Sequence, residues 1–176
     1  MAESFVRAAR DSDVAEIARI HRATWETAYR RWLPPAVLEQ ATPEVVAAQW
    51  RAAVVEPPTP DHRVLVATEG DATVGFAAIA PSADDDADPA TGQVVTLLIE
   101  PRWGRRGHGS RLLAASVDLL RASGAATATA WIYDRDRVSL AFFAGAGWAA
   151  DGAVRGFDAG GRELREVRMG VALAAG

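Results

Sequence analysis

The chain has 176 residues, 49% of them hydrophobic and 24% charged, a length and balance that suit one globular domain, residues 1–176, with a buried core. Its formal net charge of −4 argues against broad attraction to nucleic acid or to an anionic membrane surface, and no apolar run approaches the roughly 20 residues of a bilayer span. Cysteine and lysine are absent and all 19 basic residues are arginine, which excludes disulfides, thiolate nucleophiles and thiolate metal sites.

In chain order, residues 5–10 read as a strand. Asp13 with Glu16 reads as a capping box that opens a helix, whose inward positions Val14, Ile17, His21, Thr24 or Trp25, and Ala28 recur at helical spacing. His21 on that apolar stripe is expected to be a satisfied core histidine. Pro34-Pro35 breaks the chain before a second helical stretch, and Thr42-Pro43-Glu44 starts a third with Val46, Trp50 and Ala53 on one face. Residues 63–68 and 73–80 form a hairpin across Glu69-Gly70-Asp71, and an acidic loop follows at 82–91. Residues 94–100 are the central strand, 107–123 a helix closed by Gly124, 127–133 a strand and 137–144 a helix. A last hairpin joins 148–157 to 162–171. The expected fold class is α/β: a twisted, mixed sheet with helices on both faces. No signal-peptide layout opens the chain, so a cytoplasmic location is expected. His21, His62 and His108 share no ligand spacing, so no metal is expected.

The most informative stretch lies between the central strand and its following helix. An apolar strand stops at Pro101, and the loop Arg102-Trp103-Gly104-Arg105-Arg106-Gly107-His108-Gly109-Ser110 leads into the helix. Main-chain N–H groups in such a loop, backed by the positive end of a helix, form a socket for phosphate. Leu112 stands where a dinucleotide fingerprint has its third glycine, and a P-loop needs a lysine. Both motifs are excluded.

The order strand, Pro, aromatic, Gly/Arg loop, Gly-x-Gly, helix resembles the acetyl-CoA segment of the GCN5-related N-acetyltransferases, Gln/Arg-x-x-Gly-x-Gly/Ala. Gly107 and Gly109 fit, while Gly104 replaces the usual Gln or Arg, with Arg105 and Arg106 beside it to supply charge. The stretch from Trp131 to Trp148 is similar to the family's next strand and helix. There Ser139, Phe142, Gly147 and Trp148 match, Asp136 takes an Asn position and Phe143 a Tyr position. His21-x-x-x-Trp25-x-x-x-Tyr29 followed by Leu33-Pro34 resembles the opening of one branch.

The resemblance implies a fold with a central twisted sheet and acetyl-CoA as co-substrate. Pyrophosphate would lie on Arg105, Arg106, Gly107, His108, Gly109 and Ser110, and pantetheine along Leu98 and Ile99, with a backbone N–H near Leu98 for the oxyanion. Asp136 would cap the following helix, touch the cofactor, or both, and Phe143 would stand beside the thioester. Trp25, Tyr29 and Trp32, which also suit a core, would border the acceptor pocket.

Phenylalanine at 143 has no proton for the leaving thiolate. Tyr133 and Ser139 are candidate acids, and Glu26 and Glu100 candidate acceptors of the amine's proton, against a plain structural role for each. The expected reaction is acetyl transfer to a primary amine of a small molecule or peptide by direct attack in a ternary complex. No nucleic-acid or membrane partner is expected, and a homodimer is allowed for. A non-catalytic acyl-CoA-binding module is the competing reading, kept open by Phe143.

Overall fold

A computed structural model describes residues 4–173. Its elements run β1 (Ser4–Ala8), α1 (Val14–Thr24), a π-helical turn (Trp25–Tyr29), α2 (Pro35–Gln40), α3 (Pro43–Val55), β2 (Arg63–Glu69), β3 (Ala72–Pro81) and β4 (Thr91–Ile99). They continue with α4 (His108–Ala122), β5 (Thr127–Tyr133), α5 (Arg137–Gly145), β6 (Ala149–Asp158) and β7 (Glu163–Ala172). The seven strands form one sheet in the order β1-β2-β3-β4-β5-β7-β6, antiparallel except where β4 meets β5.

Period-two alternation explains how both faces of this sheet are covered. Val64, Val66 and Phe76 face α1 and α3, where Ile17, Ile20, Val46 and Trp50 are buried. Leu65, Ala67 and Ala77 point the other way, onto Leu112 of α4, and a bulge in the β2–β3 pairing turns Val74 to the same side. Phe76 is fully buried, and burying a side chain of that size contributes about 1.5–3 kcal/mol. A third cluster joins α4 and α5 to the far strands through Leu113, Leu120, Phe143, Trp148 and Met169.

Local chemistry sets the helix ends. Thr42 accepts the Val45 N–H at 3.3 Å with Pro43 as the first helical residue of α3, a start its sequence announces. Asp13 departs from expectation. Its carboxylate turns back to the Arg10 N–H at 2.8 Å and to Arg7 at 2.7 Å, while Glu16 pairs with Arg19. The guanidinium of Arg7 holds that carboxyl below its ordinary range, and α1 starts without a side-chain cap. The first helix also does not run straight through to Ala28 as periodicity suggests, because it widens into the π turn that carries Trp25 and Tyr29.

Two irregularities shape the centre of the sheet. The β3–β4 pairing skips between Ala78–Thr96 and Ile79–Val94, which leaves Val95 as the extra residue of a bulge. On the other side, β4 pairs with β5 only over Thr91–Thr127, Gly92–Ala128 and Gln93–Thr129. Beyond Gln93 the two strands part, and a cleft opens between them.

Candidate active site

The cleft holds a cavity of about 320 Å³. Val94 to Leu98 form one wall from the unpaired part of β4, and Trp131, Ile132 and Tyr133 another from β5. Ser139 and Phe143, one helical turn apart on α5, close a third side, and Trp25, Tyr29 and Trp32 line the side opposite. These aromatics form a connected surface, with Trp32 5.6 Å from Tyr29 and 5.2 Å from Tyr133 between ring centroids.

At the end of β4, the chain turns through Pro101 into the Gly/Arg loop. Arg105 has φ +63 and Gly107 φ +83, so two left-handed residues lie within three positions. That conformation strains any residue with a Cβ, and glycine adopts it without cost. The first helical bond of α4 runs from the Arg111 N–H to the Gly107 carbonyl at 3.1 Å. The N–H groups of His108, Gly109 and Ser110 therefore have no acceptor within the helix, and they sit at its positive end. Arg105 and Arg111 are exposed beside them, which suits the socket to a pyrophosphate. Arg106 turns away to Glu69 at 3.3 Å and lies 4.9 Å from the Trp103 ring.

His108 and Gly109 act differently from expectation. The His108 ring is 2% exposed, and its Nε2 meets Glu69 at 2.7 Å, so only its main chain is left for an anion. A Cβ on Gly109 would meet the Phe142 ring at 3.4 Å. That glycine lets α4 pack close on α5, and a side chain there would press on protein before it met phosphate. Ile99 likewise packs toward α4 with Leu97 and Leu112, while Leu98 lines the cavity.

Asp136 is the best-connected carboxylate at the cleft. It accepts the Ser139 N–H at 3.0 Å as the N-cap of α5, the Ser139 hydroxyl at 2.7 Å and the Tyr29 hydroxyl at 2.6 Å. Burial, reinforced by the anionic Asp136, holds the Tyr29 phenol above its usual range and keeps it protonated. One carboxylate thus ties the π turn to α5.

The two carboxylates expected to receive a proton lie elsewhere. Glu26 is exposed, paired with Arg22 at 3.3 Å and outside the cavity lining. Glu100 is 6% exposed and held by Arg19 at 3.1 Å and Arg102 at 2.8 Å. The hydrogen bond from Arg19 keeps it below the usual carboxylate range, so its work is to fix the end of β4 against α1. Glu166 of β7 does line the cavity, facing Tyr133 across the strand pair, and no motif marked it. Its only signal is a charged residue alternating along a strand that reads as plain surface.

His21 also lines the cavity, which corrects its reading as a satisfied core residue. Its Nδ1 accepts the Trp50 indole N–H at 2.9 Å, which puts the proton of the neutral ring on Nε2, an atom with no partner among the described residues. Burial lowers its pKa to about 4.

With this geometry in place, the relatives of the chain become informative. Residues 14–148 match the model of the acetyltransferase (GNAT) family. The chain belongs to that family. Membership makes it an acetyl-CoA-dependent acetyltransferase, and the sequence resemblance stands. An uncharacterized N-acetyltransferase, YuaI of Bacillus subtilis, is 25% identical over 166 residues, which cover 94% of this chain and 91% of that protein. The PaiA N-acetyltransferase of Thermoplasma acidophilum, solved with coenzyme A, superposes with a TM-score of 0.79 at 14% identity, covering 97% of this chain and 99% of that one. YncA of Salmonella typhimurium, a putative acetyltransferase solved with acetyl-CoA, gives 0.73 at 21% identity over 97% and 94%. These two likenesses speak to the fold.

Proposed function

We propose that the protein transfers the acetyl group of acetyl-CoA to a primary amine that enters the cavity from the side of Trp25, Tyr29 and Trp32. The parting of β4 from β5 beyond Gln93 carries this reading, because it joins an anion socket at one end to an aromatic chamber at the other. The unpaired edge of β4 would hold the pantetheine amides as a further strand would, and the helix-start N–H groups with Arg105 and Arg111 would hold the pyrophosphate.

In the transfer, the neutral amine's lone pair attacks the thioester carbonyl, the C–N bond forms, the C–S bond breaks, and the ammonium proton passes to water or a nearby carboxylate. The chain's contribution is chiefly position, since two reactants held in one dry cleft need no covalent intermediate on the enzyme. A main-chain N–H near Leu98 would meet the charge that develops on oxygen. Phe143 cannot protonate the thiolate, and the Ser139 proton is already given to Asp136, which leaves Tyr133 in the cavity wall as the candidate acid. Because a thiol of this kind has a pKa of roughly 8.5, it leaves with little help.

The phenylalanine at 143 favours one second reading, a module that binds acyl-CoA without turnover. Thiol release from acetyl-CoA across a panel of primary amines separates the two. Transfer predicts amine-dependent release well above the hydrolysis background. Acetyl-CoA binding in calorimetry with no amine-dependent release would establish the binding module instead.

A further inference from the structure

The charges around the cavity are distributed unevenly. Among the described residues that line it, Glu166 carries the one formal charge. His21 adds none, since the Trp50 indole occupies Nδ1 and leaves the ring neutral. The two neighbouring guanidiniums stand outside the lining, and each is paired with carboxylate. Arg155 donates through Nε to Glu166 Oε2 at 2.5 Å and lies 4.4 Å from the Trp131 ring. Arg168 is held by Asp84 at 3.2 Å, Asp86 at 2.6 Å and Asp151 at 2.6 Å. The rest of the wall is largely apolar, with ring faces from Trp25, Tyr29, Trp32, Trp131, Tyr133 and Phe157.

We propose that the acceptor is an apolar primary amine that bears no anionic group, and that Glu166 receives its ammonium within the aromatic chamber. This rests on the amine-acceptor reading above and narrows it to a substrate class. The ring faces attract a cation and bury an apolar body. The Arg155 bond uses Oε2, leaving Oε1 to accept from the ligand. A carboxylate or phosphate on the same ligand would meet no cation among the described lining residues, and the nearest guanidinium, Arg155, is already paired with Glu166. Free amino acids and their phosphorus analogues are thereby disfavoured, while aralkylamines and amino amides are accepted.

Three related probes test this: phenethylamine, phenylalaninamide and phenylalanine, which differ by a hydrogen, a neutral amide or a carboxylate on one carbon. The kcat/KM for phenylalanine is expected to lie at least roughly tenfold below that for phenylalaninamide. The isosteric Glu166→Gln variant is expected to raise the KM for phenethylamine about fivefold, to leave that for acetyl-CoA unchanged, and to narrow the gap between phenylalaninamide and phenylalanine. A purely structural Glu166 would not move that gap. Phenylalanine turned over as well as its amide, or an unchanged gap in Glu166→Gln, overturns the proposal while amine acetylation stands. Should no amine release thiol although acetyl-CoA binds, the amine-acceptor reading falls. Calorimetry with CoA present then decides the chamber's preference: selective binding of phenethylamine over phenylalanine upholds it, and equal or absent binding overturns it.

Discussion

The two ends of the cleft are built from different material. At the loop end, the working groups are main-chain N–H groups whose directions follow from a left-handed Arg105, a left-handed Gly107 and the first turn of α4, all contiguous in the chain. At the chamber end, the working groups are side chains from the π turn, β4, β5, α5 and β7, gathered from positions as far apart as His21 and Glu166. A backbone site tolerates most side-chain changes and fails when the chain path changes. A side-chain site keeps its path and fails group by group.

The largest expected effect lies within the chamber end, where one carboxylate ties the π turn to α5. Replacing Asp136 by alanine removes the N-cap of α5 and leaves the Tyr29 and Ser139 hydroxyls without their acceptor, at a cost of about 2–4 kcal/mol in denaturant unfolding. Asp136→Asn keeps the acceptor of the N-cap but sets a donor where both hydroxyls were received, and is expected to lose about half as much. Equal losses in both variants would mean that the carboxylate's charge, rather than its hydrogen bonds, joins these two elements.

Next in size is a break confined to the loop. Gly107→Val forces a β-branched residue to φ +83, and acetyl-CoA affinity is expected to fall at least tenfold, about 1.4 kcal/mol, in calorimetry. Amine discrimination in the chamber should survive. Gly109→Val tests a different contact, because its Cβ points at Phe142 and its effect should appear first as lost thermal stability.

The smallest effect is expected at Phe143, which borders the chamber but sits in the core at 3% exposure against Trp148. Phe143→Tyr offers the leaving thiolate a proton it already manages without, so kcat should rise by roughly threefold or less. A rise of two or more orders of magnitude would show that expulsion of the thiolate limits the native enzyme.

The loop, the glycine before α4, the caps at Thr42 and Asp136 and the 63–80 hairpin were legible in the sequence because each is a local matter. A few consecutive residues decide whether a backbone turns, caps or extends, and those choices leave compositional marks. The family's motifs carried the rest of the loop end on the same basis. At the chamber end, Trp25, Tyr29 and Trp32, which suited a core or a pocket equally, line the cavity, while Glu26 and Glu100 stand outside its lining. Glu26 sits off the apolar stripe of α1, but which way that face looks depends on how α1 packs across β2 and β3. Glu100 ends the central strand as expected, yet Arg19 from a helix 81 positions earlier claims it. Tyr29 and Asp136 lie 107 positions apart, and Glu166 enters the chamber only because β7 inserts between β5 and β6. Such encounters depend on strand order and on the bulge at Val95 that lets β4 leave β5. Those are settled by the packing of the whole sheet, where long-range burial outweighs any preference a short segment carries.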